Sequence, residues 1–279
     1  MSVVIPAHDE ESRLPRCLAG LEPLVGPLAL DVVVVANGCT DRTAEVARAH
    51  PWVTVVEHPV GSKVEALNAG DAAARGAARV YLDADVRVDA EGLTDVVRLV
   101  SGTDPLVCAP RVAYDLTGCS WPVRAHYRVQ ALVPATRDGV VGHGLYAVSA
   151  AGRRRFDRFP DLHADDLFVS SRFGVDERVR AAGEVRVWPP RDLASLVRVR
   201  TRVARGNASA APAAGTGAAG PGRTTRQTIA SLAGLLVRRP LLLADLTVFG
   251  AVAVTARLRA RAVRGSGGWA TDTTARQGS

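Results

Sequence analysis

The sequence predicts an α/β fold: a mostly parallel sheet flanked by helices, with a helical C-terminal appendage. Three observations point there. Over the first 115 residues, short apolar runs alternate with helical patterns, the order of a doubly wound sheet. Of 279 residues, 47% are hydrophobic and 23% charged, enough apolar mass for a sizeable core and too little charge for wholesale disorder. The charge is also divided. Residues 195–279 hold 13 arginines against Asp245 and Asp272, net +11, while residues 1–194 hold 22 basic and 26 acidic residues, net −4.

Taken in order, Val3–Ala7, Asp31–Ala36, Trp52–Glu57, Arg79–Leu82 and Leu106–Ala109 read as buried strands, short and rich in valine and leucine. Helical patterns lie between them near Arg13–Leu21, Thr40–His50, Val64–Arg75 and Glu91–Val100. Residues 116–194 are more mixed. Helices are expected near Pro122–Val133 and Asp166–Phe173, and strands near Leu145–Ser149 and Glu184–Trp188. An arginine-rich helix follows at Ser195–Arg205. The stretch 207–222 is almost wholly Ala, Gly, Ser, Thr and Pro, the composition of a flexible linker or mobile loop. Residues 223–264 are apolar and helical with basic ends, and 265–279 read as a disordered tail. The main domain is therefore expected to span 1–206.

Cys17, Cys39, Cys108 and Cys119 form no CxxC and pair with no histidine at metal-ligand spacing. They read as free thiols of a reducing compartment, which places the chain in the cytoplasm. No charged segment precedes the first strand, so a signal peptide is not expected. The basic C-terminal third asks for an anionic partner: membrane lipid, nucleic acid or phosphate. No nucleic-acid-binding motif accompanies it, and nucleic acid is not expected as a partner.

Ligands of parallel sheets sit at the carboxyl ends of the strands, so the polar residues there carry the argument. The first strand runs into Pro6-Ala7-His8-Asp9-Glu10-Glu11 and the second into Asn37-Gly38-Cys39-Thr40-Asp41; each also suits a loop and helix cap. The fourth ends in Asp83-Ala84-Asp85. Two carboxylates this close repel one another and call for a cation, and hard divalent ions take such oxygen ligands. A solvated turn would explain an isolated DxD, but its place after a buried strand favours a metal. Lys63, the chain's one lysine, opens a helix, where an anion such as diphosphate is well held. Neither a Walker A loop nor a GxGxxG after the first strand is present.

Together these segments resemble the inverting GT-A glycosyltransferases of family 2. The family's P-A/T-Y/H-N/D-E-E is matched by Pro6–Glu11, its D-D/N-G-S-T-D by Ala36–Asp41 and its G-K-x-x-A-L-N-x-G by Ser62–Gly70. Its F/Y-L-D-A-D is matched by Tyr81–Asp85, its G-x-G by Gly142-His143-Gly144 and its E-D-x-x-L by Asp165-Asp166-Leu167-Phe168-Val169. The likeness covers about residues 2–206. It implies a nucleotide-sugar donor (a UDP-, GDP- or TDP-sugar) held by Pro6, His8, Asp9, Glu10, Asn37, Lys63, Asp83, Ala84 and Gly144. It implies Mg2+ or Mn2+ on Asp85, and Asp166 as general base with Asp165 beside it. Asp9 and Asn37 would flank the base, Lys63 the diphosphate and Asp83 the ribose. The arginine-rich segment resembles the family's R-x-R/Q-x-x-R-W loop, with Arg202 and Arg205 as diphosphate contacts and no tryptophan following. Ala36 and Asn37 replace acids found in many relatives, and Asp165 is one methylene shorter than the usual glutamate.

Two rivals stand beside this reading: a catalytically degenerate, membrane-associated scaffold of the same fold, and a sugar nucleotidyltransferase. Intact Lys63, Asp83, Asp85 and Asp166 speak against the first. The second needs a glycine-rich signature after the first strand, where Pro6-Ala7-His8-Asp9-Glu10 stands. The acceptor is a small molecule or a lipid-linked one. Leu241–Val254 is apolar apart from Asp245 and Thr247, with arginines on both sides. Counting back to Ile229 for a full span includes Arg238 and Arg239, so a single span is not expected. Two readings of this segment stay open: a helix packed on the catalytic domain, or an interfacial helix pair on anionic lipid that makes the protein peripheral on the inner membrane face.

Overall fold

Strand β1 (Ser2–Ala7) is buried on both faces and forms the spine of the sheet. In this computed structural model the described residues are 1–133, 136, 140, 144–161, 164–210, 232, 234 and 239–262, the side chains of 207–210 excepted. The expectations at Gly142, His143, 211–222, 265–279 and most of 223–238 lie outside them. β1 pairs in parallel with β2 (Asp31–Asn37) and with β4 (Arg79–Leu82), and β2 pairs in parallel with β3 (Val53–His58). Alternate residues of β1 face opposite layers, as the two-residue period of a strand requires. Val3 and Ile5 pack with Leu14 and Leu18 of α1 (Leu14–Val25) and Leu93 and Val96 of α4 (Ala90–Val100). Val4 packs on the other face with Val64 and Leu67 of α3 (Lys63–Ala73). The short α2 (Thr43–Arg48) follows β2.

Beyond β4 the sheet is mixed. The full order is β3-β2-β1-β4-β7-β6-β8-β5. β7 (Leu145–Val148) runs antiparallel to both β4 and β6 (Val107–Tyr114), and β5 (Val86–Val88) runs antiparallel to β8 (Arg178–Val187). β6 and β8 are parallel. The expectation of a mostly parallel sheet is thus met in the first half, while the second half is largely antiparallel. Two strands are longer than the sequence suggested. β6 continues past Pro110 because the register shifts between Ala109 and Arg111, and a bulge is where a strand tolerates proline. β8 begins at Arg178 rather than near Glu184; Arg178 and Arg180 there are half-buried and donate to the Phe173 and Pro110 carbonyls, so their charge hid a strand that is not solvent-facing.

Helices α5 (Trp121–Leu132), α6 (Ala150–Arg153) and α7 (Asp165–Ser170) follow, then the long α8 (Leu193–Ala210). α8 runs four residues past the expected boundary at 206. After a 3-10 turn at Pro240–Leu242, α9 (Leu243–Ala262) packs back on α5 and α8. Val252 joins Cys119, Val123, Tyr127 and Leu196; Phe249 joins Val129 and Val133. Arg128 of α5 grips Asp245 of α9 with two hydrogen bonds of 2.8 Å. Pro240–Ala262, 23 residues, is long and apolar enough to cross a membrane, a length the sequence count missed by reaching backwards to Ile229 instead of forwards from Pro240.

Candidate active site at the strand ends

Three loops converge where β1, β2 and β3 end. Asn37 is wholly buried, and its Nδ2 donates to the Ala7 carbonyl at 2.7 Å. His8 Nδ1 lies 2.7 Å from the Asn37 carbonyl oxygen. Asp9 takes a left-handed φ of 52° and accepts from the Thr40 amide at 2.7 Å. The Glu10 amide donates to Thr43 Oγ1 at 2.8 Å, and the Glu11 amide to Asp41 at 3.0 Å. Gly38, at φ +55°, has room for no side chain: a Cβ would stand 2.4 Å from the Gly61 nitrogen. A Cβ on Gly61 would in turn stand 3.0 Å from the His8 ring. The second-strand turn and the approach to α3 are therefore in backbone contact, and the His8 ring of the first-strand loop packs against Gly61. Burial opposes the Asp9 charge, but the Thr40 amide and the nearby His8 outweigh it and hold the carboxyl below its ordinary range.

The second cluster gathers at β4, α3 and α7. The Asp83 amide donates to the Gly144 carbonyl at 2.8 Å, fixing the strand end. Gly144 has φ +70°, and a Cβ there would approach Val86 Cγ1 to 2.7 Å. Ser62 caps α3 and Lys63 opens it. Lys63 Nζ is 2.8 Å from Asp83 Oδ1 and 3.1 Å from Asp165 Oδ1. Tyr146 Oη donates to the other Asp165 oxygen at 2.8 Å. Asp165 is thereby buried and held on both oxygens, whereas Asp166, its neighbour at the start of α7, is half-buried and accepts from the Leu167 amide at 2.7 Å. Asp85 is the open member, its side chain 45% exposed; Arg13 lies 3.5 Å from it and 3.6 Å from the buried Glu10. Ala84 between the two acids is buried in the core, and Pro6 lies inside β1.

The charges do not balance easily. Burial disfavours the Lys63 ammonium, yet Asp165 and Asp83 more than restore it and lift its pKa above the usual lysine range. Asp83 is raised, first by burial and then by Asp85 and Asp165, against the pull of Lys63. A carboxyl raised by neighbouring acids accommodates a further cation, and carboxylate oxygens suit a hard divalent ion. Among the described residues, the one trio of ligand-type side chains close enough to share an ion by themselves is Asp9, Cys39 and Asp41. Their carboxylates lace the two loops together.

Arg202 and Arg205 lie on α8, which passes beside α7; Arg202 is exposed and Arg205 half-buried. The arginine-rich segment is thus a continuous helix. Sequence reasoning missed Arg13 and Tyr146. The alternation of β7 held the signal for Tyr146: Leu145 and Ala147 join the α1 layer, and Tyr146 and Val148 face the layer of α7. Nothing local marked Arg13.

A mixed sheet with acids and one lysine gathered at its strand ends is the architecture of a GT-A glycosyltransferase. Residues 2–158, more than half the chain, match glycosyl transferase family 2, and the chain belongs to that family. An uncharacterized glycosyltransferase of Mycobacterium tuberculosis is 34% identical over 122 residues, 44% of this chain and 52% of that one. An undecaprenyl-phosphate 4-deoxy-4-formamido-L-arabinose transferase of Pseudomonas aeruginosa is 31% identical over 163 residues, 55% of this chain and 47% of that one. The chain thus spans about half the length of these relatives. In fold it resembles a mannosyltransferase of Pyrobaculum calidifontis solved in complex with GDP-Man and Mn2+, with a TM-score of 0.66 and 19% identity over 93% of this chain and 86% of that one.

Proposed function

We propose that this protein transfers a sugar from a nucleoside-diphosphate sugar to an acceptor hydroxyl by single displacement, inverting the anomeric carbon. The observation that carries the reading is the Lys63 bridge between Asp83 and Asp165, with Asp85 and Asp166 more open beside it. The donor lies over the strand ends. Asp9 and the His8 backbone meet the nucleoside, Asn37 supports that loop from beneath, and Asp83 meets the ribose. Pro6, Glu10, Ala84 and Gly144 shape the floor. Lys63, with Arg202 and Arg205 from α8, faces the diphosphate. Asp85 would hold a divalent cation, Mg2+ or Mn2+, whose positive charge would act against the leaving diphosphate. Asp166 takes the proton of the acceptor hydroxyl as its oxygen bonds the anomeric carbon and the bond to the diphosphate breaks. No covalent intermediate forms. Asp165, tied to Lys63 and Tyr146, holds the geometry.

A lipid-linked or otherwise amphiphilic acceptor fits best. The named acceptor of the Pseudomonas relative and the +11 charge of the last 85 residues support it. Four free cysteines support a cytoplasmic protein at the inner membrane face. The test is a panel of UDP-, GDP- and TDP-sugars with Mn2+, scored by thermal shift and by release of nucleoside diphosphate. One donor should stabilise the protein and turn over. A protein that binds and turns over none is the degenerate scaffold.

A further inference from the structure

Helix α9 has two apolar faces, and among the described residues only one of them is covered. Asp245, Phe249, Val252 and Ala256 are buried against α5 and α8. At 3.6 residues per turn, Leu243, Thr247, Gly250, Ala251, Val254 and Leu258 fall on the opposite side. There Leu243 is 57% exposed, Val254 55% and Leu258 59%, and Leu241 in the preceding turn is 96% exposed. From Leu243 to Leu258 this stripe runs about 22 Å. It ends in the exposed Arg257, Arg259 and Arg261, and the exposed Arg239 stands before its other end. Broken only by Thr247 and Gly250, it is a long uncharged strip for a soluble surface, and the residues bounding it are cationic.

We propose that α9 lies flat in the headgroup region of an anionic bilayer, its stripe in the acyl boundary and its arginines on lipid phosphates. The surface rests on the reading of the acceptor as amphiphilic and names where the lipid lies. Charge decides the occupant: no acidic residue interrupts the stripe, and the arginines at its end match anionic headgroups. The covered face decides the posture. To span, α9 would have to leave α5 and α8, which would break the Arg128–Asp245 pair and strip Val252 and Phe249 from their clusters. The helix is long and apolar enough for a span, yet one side of it is packed on α5 and α8.

The experiment uses the full 279-residue chain and two kinds of vesicle, phosphatidylcholine alone and equal parts phosphatidylcholine and phosphatidylglycerol. The chain should sediment with the anionic vesicles only, return to the supernatant at high salt, and be stripped by alkaline carbonate. The variant V254D/L258D should lose sedimentation with its melting temperature unchanged, since both side chains are exposed. R257Q/R259Q/R261Q should weaken binding by roughly fivefold per arginine, about 100-fold in all. Three results would overturn the proposal: a chain that ignores anionic vesicles at low salt, a pellet that resists carbonate, or a solution dimer that V254D/L258D turns into a monomer. Nucleoside-diphosphate release is measured in the same samples. Vesicle binding without any donor turnover would sink the catalytic reading and leave the surface standing, and the converse would do the opposite.

Discussion

Lys63 and Asp165 stand 3.1 Å apart, although one opens α3 and the other opens α7. The same ammonium is 2.8 Å from Asp83 at the end of β4. One cation thus joins the end of β4 to the acid pair at the start of α7. In the proposed reaction it faces the diphosphate as well, so donor binding and the placement of α7 share a residue.

Replacing Lys63 by methionine keeps most of the side-chain volume and removes the charge. Asp83 and Asp165 then face each other without compensation. Leaving a partly enclosed charge unpaired should cost roughly 1–3 kcal/mol of stability. Donor affinity should fall along with it. Chemical denaturation and a donor titration check the two effects, and an unchanged donor affinity would remove Lys63 from the diphosphate.

The acid pair should divide by burial. Asp166→Asn should lower turnover ~100–10,000-fold, the usual cost of losing a positioned general base, with melting temperature and donor affinity kept. Asp165→Asn should lower the melting temperature too, because it disturbs the bonds to Lys63 and Tyr146. Tyr146→Phe should share the stability loss of Asp165→Asn and keep more of the rate. A dead Asp165 variant beside an active Asp166 variant reverses the assignment.

In the proposed reaction Arg13 and a metal compete for Asp85. Asp85→Asn should abolish Mn2+ binding followed by the electron paramagnetic resonance of the free ion. A chelator should stop transfer by the native protein. Arg13→Gln removes a positive charge 3.5 Å from Asp85 and should tighten Mn2+ binding ~5-fold, the scale of one charge at that distance near water. Transfer at full rate in chelator would take the metal out of the mechanism.

What the sequence disclosed follows from what is local. β1 and β2 are apolar on both faces and announce themselves as buried strands. Lys63, Asp83 and Asp85 could be singled out because strand ends and helix starts are where such residues act, whereas Asp165 and Asp166 came only with the resemblance to the family's E-D-x-x-L segment. Residues whose role comes from distant partners were silent: Arg13 reaches Asp85, and Tyr146 reaches Asp165. β5, three residues long, was too short to show a period. Asn37 was expected beside a ligand and is instead sealed beneath its loop, since polarity reveals nothing about burial. In α9 the two apolar faces cancel the amphipathic pattern, so the covered side could not be told from the open one.

His126 offers a prediction that is independent of catalysis. It is wholly buried on α5, stacked on Phe249 at 4.8 Å, and neither ring nitrogen has a hydrogen-bond partner among the described residues. Burial, with a contribution from Arg200, lowers its pKa from 6.5 to about 3. The folded state therefore holds the ring neutral, while the unfolded chain takes up a proton near pH 6.5. Between those two values the unfolded state binds more protons, so stability is complete above pH 6.5 and drains away as pH falls towards 3. From pH 7 to pH 5 this one group should cost about 2 kcal/mol. His126→Phe keeps an aromatic ring against Phe249 and removes the titration. Repacking shifts absolute stability in either direction, so the readout is the slope: urea unfolding at several pH values should show the variant losing about 2 kcal/mol less than the native chain over that interval. Parallel slopes would mean that the native fold admits a protonated His126, which requires α9 to lift from α5 at mildly acidic pH.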